Sequence, residues 1–280
     1  MPLSAAREGT GYFNRRGRRL FLRWWDPGRA KTLVVLIHGF GEHSGRHAPL
    51  ARQLLDHGVS VACLDLWGHG RSAGRRGDVE RFEDYLDDLD QALREGLAFP
   101  IPAERLVAFG HSFGGLLAIH WAFRLLGTLR ALVLQSPFLG FGPAIAPWRR
   151  TLADTIPRSF GPLALPTGLD ARWLSHDPEI VGNYRTDPLV HRWMSVRCYR
   201  AVRAAMGQAI QQAPQIAVPT LLLYGRDDRV VSVEDCRAFY DRLRCPKQIL
   251  GYEGSYHELH HEAKRTEVLG DIHRWLAAHA

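Results

Sequence analysis

One serine of the 280-residue sequence lies in a pattern that activates nucleophiles. The stretch GHSFG at 110–114 places Ser112 between an apolar run at 106–109 and an apolar helical run at 116–123. Such a strand–turn–helix context presents a serine hydroxyl at a strand end, and flanking glycines let strand and helix approach each other. The pattern therefore predicts Ser112 as a nucleophile. The competing interpretation is a glycine-rich turn whose serine is unreactive.

A serine nucleophile needs a base and an orienting acid, and both residue types follow later strand-like runs. Asp227 and Asp228 follow the run at 219–224, and His257 is the first histidine after the run at 247–252. Histidine can accept the serine proton while a carboxylate orients the imidazole. We therefore expect His257 to be the base and one of the two aspartates the acid. The alternative is that His257 is a surface-loop histidine.

The charge that develops on an attacked carbonyl oxygen requires backbone N–H donors. One expected donor is Phe113, because it directly follows the nucleophile. The other is Phe40, because HGFG at 38–41 follows an early apolar run at 33–37 and its glycines would let the amide turn. His38 is expected to be structural.

The stretch HELHH at 257–261 also matches H-E-x-x-H, in which two histidines on one helix turn bind zinc. That motif lies within a long helix and needs a third ligand, whereas 19 residues follow His261. Gly254 and Ser255 just upstream favour a loop. The sequence therefore predicts no metal and no other cofactor, and activity that survives a chelator.

Apolar runs and helical periodicity alternate along most of the chain, which is typical of a mostly parallel sheet flanked by helices. An antiparallel hairpin is expected first, at 11–16 and 19–25 with a break at Gly17. A helix at 82–97 is expected on the surface because its aspartates share one side. The other strands are predicted at 32–38, 59–65, 106–110, 131–135, 219–224 and 247–252, and the other helices at 46–57, 113–126, 233–243 and 262–278.

The pattern changes between residues 137 and 214, where proline and tryptophan become frequent and no strand-like run appears. We predict a mainly helical cap insertion at 137–214, between a first core segment at 1–136 and a second at 215–280. An apolar insertion of this kind is suited to cover a site at the strand ends.

The composition suits one large α/β domain with a substantial core, since 46% of the residues are hydrophobic and 23% are charged. Disordered, collagen-like and coiled-coil classes are excluded. No apolar run approaches the roughly 18 residues that span a bilayer, and residues 1–25 lack the apolar stretch of a secretory signal. The four cysteines fit neither a metal site nor a disulfide scaffold. A cytoplasmic protein with free thiols is therefore expected.

The positive charge is concentrated near the start of the chain, where residues 1–31 carry +6 of the formal net charge of +7. A basic segment that also contains Phe21, Trp24 and Trp25 could contact an anionic membrane. Nucleic acid is not expected as a partner, because no nucleic-acid-binding module accompanies the segment. The favoured interpretation is a solvated, arginine-rich edge hairpin, with peripheral membrane contact as the alternative.

These stretches together resemble the α/β-hydrolase superfamily and, within it, the monoacylglycerol lipase and lysophospholipase family. The resemblance rests on HGFGEHSGR (38–46), LDLWGHGRSAG (64–74), GHSFGG (110–115), LLLYGRDDRVV (221–231) and YEGSYHELHHE (252–262), with a weaker match at 175–190. It implies Ser112, Asp228 and His257 as a catalytic triad, with an oxyanion hole formed by the N–H groups of Phe40 and Phe113. Asp227 would then be a solvated loop residue.

The resemblance also implies a polar site for the substrate head group, formed by Glu42, Arg46 and His260. The alternative is that Glu42 and Arg46 form only a structural ion pair. Phe40 departs from the family pattern, because a smaller residue often occupies that position.

The resulting expectation is a serine carboxylic-ester hydrolase that cleaves single-chain acyl esters, above all monoacylglycerols, through an acyl-enzyme. A lysophospholipase, with Arg46 as the partner of the phosphate, and a general medium-chain carboxylesterase are the alternatives within the same class. From a different class, a non-catalytic lipid carrier or membrane adaptor is disfavoured by the complete Ser–His–Asp set.

Overall fold

Eight strands form one mostly parallel sheet in the computed structural model, which describes residues 7–28, 30–96 and 105–280. The strands of these described residues are β1 (Arg7–Arg15), β2 (Arg18–Asp26), β3 (Leu33–Ile37), β4 (Ser60–Leu64), β5 (Leu106–His111), β6 (Leu129–Gln135), β7 (Ala164–Pro166), β8 (Trp193–Ser195), β9 (Thr220–Gly225) and β10 (Lys247–Tyr252). Their order in the large sheet is β1-β2-β4-β3-β5-β6-β9-β10, with antiparallel pairing at β1–β2 and β2–β4 and parallel pairing from β4 to β10. Each predicted strand of this sheet is present.

The sheet is covered by helices on both faces because its central strands are apolar on both sides. The α-helices of the described ranges are α1 (Ala48–Asp56), α2 (Glu83–Gln91), α3 (Phe113–Arg124), α4 (Pro147–Thr155), α5 (Pro178–Thr186), α6 (Val196–Gln212), α7 (Val233–Arg242) and α8 (Arg265–His279). Val34 and Phe109 pack in one cluster with α1 and α8. Val35 and Ala108, their neighbours in sequence, pack in the other cluster with α2, α3, α6 and α7. This alternation follows from the two-residue repeat of a strand.

Two predicted helices include a turn that is not α-helical. The helix predicted at 46–57 begins with a 3₁₀ turn, Ser44–His47, and continues as α1. The helix predicted at 82–97 is α2 followed by a π-helical turn, Ala92–Gly96, and residue 97 lies outside the described residues.

The β1–β2 hairpin packs against the acidic side of α2. Arg15 lies 2.7 Å from Asp87 and 2.9 Å from Asp88, and Arg18 lies 2.7 Å from Asp88. Asp88 is fully buried, which corrects the expectation that this side of the helix faces solvent. Burial is possible because the hairpin supplies two cations for one carboxylate. The same ion pairs neutralise part of the positive charge of residues 1–31.

Residues 137–214 contain α4, α5 and α6, and they also contain two short strands. β7 and β8 pair antiparallel, with Ala164 opposite Ser195 and Pro166 opposite Trp193. The expectation of no strand in this region is therefore wrong. Each strand has three residues and its partner lies far away in the chain, so no local alternation in the sequence marks either of them.

Within the described ranges, every helix is too short or too polar to traverse a lipid bilayer. Cys63, Cys198 and Cys236 are buried free thiols, and Cys245 is a half-buried one.

Candidate active site

Ser112 lies in a strained turn between β5 and α3. Its φ and ψ angles are 53° and −117°, in the left-handed half of the Ramachandran plot that side chains rarely adopt. A Cβ on Gly114 would overlap the carbonyl oxygen of Ile37, and one on Gly110 would overlap that of Gly114. The two glycines therefore allow β3, β5 and α3 to meet closely around the serine, as the G-x-S-x-G pattern predicts.

Asp228 and His257 meet at the same edge of the sheet. Asp228 follows β9, His257 follows β10, and both strands run parallel to β5, so their carboxyl ends lie together. The Nδ1 of His257 donates to Asp228 Oδ2 at 2.7 Å. The other carboxylate oxygen accepts the N–H groups of Val230 and Val231 at 2.8 and 3.1 Å.

The two aspartates differ in burial, and it is the carboxylate of Asp228 that contacts His257. Asp228 is buried, whereas Asp227 next to it is exposed. Burial alone would lower the pKa of His257, but the carboxylates of Asp228, Glu258 and Glu42, with Asp228 first among them, together raise the pKa above its ordinary value of 6.5. Asp228 is therefore the carboxylate that both orients the imidazole and stabilises its protonated form.

A third contact, not foreseen from the sequence, holds the loop that carries His257. Ser136 follows β6 and donates its hydroxyl to the carbonyl oxygen of His257 at 3.0 Å. Its φ of 46° is a second left-handed non-glycine conformation beside the site. Ser136 thereby ties the histidine loop to the middle of the sheet.

The two expected oxyanion donors lie side by side. Phe40 follows β3 and Phe113 begins α3, and their rings pack edge to face at a centroid distance of 5.5 Å. Within the described ranges, neither of these two N–H groups donates to another backbone or side-chain group. The preceding turn is held by Gly39, whose N–H donates to Glu42 Oε1 at 2.6 Å. Both amides are thus free to bind a substrate oxygen.

Of the expected head-group residues, Glu42 and Arg46 are brought together and joined by a residue that sequence reasoning missed. Arg46 Nε donates to Glu42 Oε2 at 3.1 Å, and its Nη2 donates to both carboxylate oxygens of Glu258 at 2.7 Å. His261 Nδ1 also lies 2.7 Å from Glu258. All of these side chains are nearly inaccessible to solvent. Glu42 and Arg46 do form an ion pair, and this pair is part of a larger buried network that includes Glu258 and His261.

His260 lies behind the site. Its Nδ1 accepts a hydrogen bond from Gln135 Nε2 at 2.6 Å, and its Nε2 is buried without a partner among the described residues. Burial and the neighbouring imidazoles hold the pKa of His260 well below its ordinary range, so the ring is neutral. His260 is not among the residues that line the cavity described next.

A large, mostly apolar cavity opens beside Ser112. It encloses about 1090 Å³ of space, including its opening to solvent, and Ser112 and His257 lie on its wall. Much of the remaining wall comes from residues 137–214: Phe138, Phe141, Ile145, Ala153, Leu165, Pro166, Thr167, Leu169, Leu174, Tyr184, His191, Met194, Val196 and Tyr199. The cavity has the size and polarity of a site for an extended apolar ligand.

The stretch HELHH does not lie in a long helix. His257 and Glu258 are in a loop, and a 3₁₀ turn covers Leu259–His261. His257 bonds to Asp228, His260 to Gln135 and His261 to Glu258. The histidines therefore have separate partners, and the arrangement differs from that of two zinc ligands on one helix face.

The missed residues carry weak signals in the sequence. Glu258 directly follows His257, but no pattern links it to Arg46, which lies 212 positions earlier. Ser136 and Gln135 stand at the end of β6 beside the predicted cap, so a reading of strand ends alone could have marked them as candidates.

Comparison with known proteins places these features in context. Residues 28–264 match the model of the family described as serine aminopeptidase, S33. The monoacylglycerol lipase of Mycolicibacterium smegmatis is 30% identical over 280 residues, which is 99% of each chain. Human monoglyceride lipase is 32% identical over 269 residues, which is 94% of this chain and 88% of that protein.

Solved structures give the same result for the fold. The monoacylglycerol lipase of Paleococcus ferrophilus superposes with a TM-score of 0.83 at 31% identity, covering 98% of this chain and all of that one. A soluble variant of the Saccharomyces cerevisiae monoglyceride lipase superposes with a TM-score of 0.85 at 21% identity, covering 95% and 94% of the two chains. The predicted architecture, a mostly parallel sheet flanked by helices, is confirmed over nearly the whole chain.

Proposed function

Because the chain belongs to the serine aminopeptidase S33 family of α/β-hydrolases, and is a carboxylic-ester hydrolase by its relatives, we propose that it cleaves monoacylglycerols with Ser112 as nucleophile. The observation that carries the proposal is the shared cavity: Ser112 and His257 lie on one apolar wall while Asp228 bonds to the remote nitrogen of the imidazole. That arrangement suits attack on an ester whose acyl chain lies in the cavity.

In the first half-reaction, Ser112 Oγ attacks the ester carbonyl while His257 Nε2 takes its proton. Asp228 holds Nδ1, so that the imidazolium that forms is oriented and stabilised. The carbonyl oxygen becomes an oxyanion that the N–H groups of Phe40 and Phe113 bind. The imidazolium then gives the proton to the leaving glycerol oxygen, and an acyl-enzyme on Ser112 remains.

In the second half-reaction, water replaces glycerol. His257 takes a proton from the water, the hydroxide adds to the acyl carbonyl, and the same two N–H groups hold the oxyanion. Collapse of this intermediate releases the fatty acid and returns the proton to Ser112 Oγ. Every step uses groups of this chain, and the sequence predicts that no cofactor takes part.

The substrate class follows from the cavity and the relatives together. The wall beside Ser112 is mainly apolar where residues 137–214 form it, which suits one acyl chain. It is polar at Glu42 and Glu258, which suits a hydroxylated head group. Two relatives that match nearly the whole chain bear the names monoacylglycerol lipase and monoglyceride lipase. We infer that the borders 137 and 214 mark the cap that encloses the acyl chain.

The test is hydrolysis of p-nitrophenyl esters of increasing chain length, followed by monoacylglycerols, with Ser112→Ala as the blank. We expect wild-type activity with a medium or long optimum, no activity in the variant, and no effect of EDTA. An optimum at acetate would indicate a small-ester carboxylesterase instead. Complete loss with EDTA would contradict the mechanism, and equal rates in wild type and variant would show that Ser112 is not the nucleophile.

A further inference from the structure

The polar end of the cavity is lined by carboxylates and not by the guanidinium beside them. Glu42 and Glu258 lie on the cavity wall together with Ser112 and His257, whereas Arg46 does not. The sequence analysis made Arg46 the partner of a substrate phosphate only in the lysophospholipase alternative. The wall that a head group meets is therefore acidic, whereas that alternative requires an accessible cation.

Arg46 is already engaged on three sides. Its Nε faces Glu42 at 3.1 Å, its Nη2 faces both oxygens of Glu258 at 2.7 Å, and its guanidinium lies 4.8 Å from the ring centroid of Tyr184. Paired, charge-assisted hydrogen bonds of this kind are strong. A phosphate would have to displace a buried carboxylate to reach the cation.

The two carboxylates remain ionised. Burial would raise the pKa of Glu258, but Arg46 and then His261 outweigh it and hold the pKa well below the ordinary range. For Glu42, His47 has the same effect against burial. Of the nearby imidazoles, burial lowers the pKa of His111 to about 3, so that ring is neutral. Two ionised carboxylates thus line the cavity, whereas their partners Arg46, His47 and His261 do not line it.

Carboxylates accept hydrogen bonds and do not donate them, so they suit hydroxyl groups and repel phosphate oxygens. We propose that Glu258 is a specificity-determining residue: it occupies Arg46 and gives the polar end of the cavity a negative charge that admits an uncharged head group and rejects a phosphorylated one. This inference rests on the proposed function, because it assigns the head group of the same substrate. It disfavours the lysophospholipase alternative.

The test compares three dodecanoyl esters in one detergent: monododecanoylglycerol, dodecanoyl lysophosphatidic acid and dodecanoyl lysophosphatidylcholine. In the wild type we expect kcat/KM for lysophosphatidic acid to be at least about 100-fold below that for the glycerol ester. Lysophosphatidylcholine separates charge from size, since it is larger but has no net charge. We expect it to be rejected less than lysophosphatidic acid.

The variant Glu258→Gln removes one charge and keeps the shape of the side chain. We expect it to narrow the gap between the glycerol ester and lysophosphatidic acid about tenfold or more. Glu262→Gln is the matched control, because Glu262 is a buried carboxylate of the same loop that bonds to Tyr256 N–H and His176 and does not line the cavity. It should leave the ratio unchanged.

Several outcomes would overturn the inference. One is an equal wild-type kcat/KM for monododecanoylglycerol and lysophosphatidic acid. Another is a lower kcat/KM for lysophosphatidylcholine than for lysophosphatidic acid. The third is a folded Glu258→Gln protein in which the ratio of kcat/KM for the glycerol ester to that for lysophosphatidic acid is unchanged. If the variant does not fold, the wild-type comparison still tests the charge selection, and equal rates on monododecanoylglycerol and lysophosphatidic acid would overturn the inference.

A binding measurement separates this inference from the proposed function. In the wild type, a fluorophosphonate labels Ser112 in the presence of a non-hydrolysable dodecyl ether of glycerol or of glycerol phosphate. The measured quantity is how far each ether slows the labelling. Selective protection by the glycerol ether, without turnover of any glycerol ester, would refute the proposed substrate and retain the charge selection. Turnover of a glycerol ester together with equal protection by both ethers would support the proposed substrate and refute the charge selection.

Discussion

The two sides of the cavity are built in different ways. On the core side, each functional group is held by short, directional hydrogen bonds: Asp228 by two N–H groups, His257 by Asp228 and by Ser136. On the side of residues 137–214, the wall consists mainly of apolar side chains such as Leu165 and Val196, which make no directional hydrogen bonds. We therefore expect reaction geometry and substrate size to be set by separate parts of the molecule.

A few polar contacts connect the two sides. His191 N–H donates to Gly41 O at 2.8 Å, directly beside the expected oxyanion donor at position 40. Glu258 N–H donates to Leu174 O at 2.8 Å, directly beside the expected base. These contacts fix the apolar wall relative to the reacting groups. Substitutions on the core side should change the rate for every chain length, and those on the apolar side should change the preference among chain lengths.

The largest effect is expected from Ser112→Ala. Removal of the nucleophile should lower kcat by roughly 10⁶-fold on short and long esters alike. Ser232→Ala is the matched control, because Ser232 caps α7 through the Asp235 N–H and is expected to cost about 1 kcal/mol of stability without loss of rate. Initial rates on p-nitrophenyl esters measure both variants, and a loss confined to one chain length would contradict the separation of the two sides.

Asp228→Asn should lower kcat by about 10⁴-fold, because an amide cannot hold the imidazole in the required tautomer or stabilise its charge. Asp227→Asn should leave kcat within about twofold, since its side chain is exposed and surface substitutions seldom have large effects. The adjacent pair is compared by steady-state kinetics on one short ester. If Asp227→Asn were the more damaging change, the assignment of the acid would be wrong.

Ala153→Phe should reduce kcat/KM for long-chain esters by about tenfold or more and leave acetate esters unaffected. Ala153 is buried on α4 and lines the cavity, so a phenyl ring there would occupy space meant for the acyl chain. The short ester serves as the internal control for folding. A uniform loss across all chain lengths would mean that the cavity does not receive the acyl group.

The pH dependence should report the core side alone. The pKa of His257 is raised because the nearby carboxylates, Asp228 above all, together outweigh burial, and only the neutral imidazole can accept the serine proton. We therefore expect kcat/KM to rise with pH through a midpoint above 6.5 and to fall about tenfold per pH unit below it. The midpoint should be the same for short and long esters and in Ala153→Phe, and a midpoint below 6.5 would contradict the assignment of His257.

The smallest effect is expected at the β1–β2 hairpin. Arg15 and Arg18 are paired with aspartates of α2, so the hairpin presents less free charge than residues 1–31 suggest. The double variant R16E/R19E, at two exposed positions, should change binding to anionic vesicles at physiological salt by less than about twofold. Co-sedimentation measures this, and a large, salt-sensitive loss would support the membrane-contact alternative.

Much of the fold could be predicted because its signals are local. Apolar runs of strand length mark β3, β4, β5 and β9, and they remain apolar because helices cover both faces of the sheet. The position of the turn at Ser112 follows from its glycines, since only small residues fit between the strand and the helix there. The pair β7–β8 could not be predicted, because three-residue strands have no periodicity to detect.

The order and spacing of Ser112, Asp228 and His257 along the chain are properties of the sequence, and they were enough to predict which residue types would meet at one sheet edge. The partners of charged groups were decided only by the tertiary structure. Arg46 meets Glu258 across 212 positions, and Arg18 meets Asp88 across 70. The reason is physical: apolar periodicity acts locally on backbone and burial, whereas an ion pair depends on a distance that exists only after distant segments have packed together.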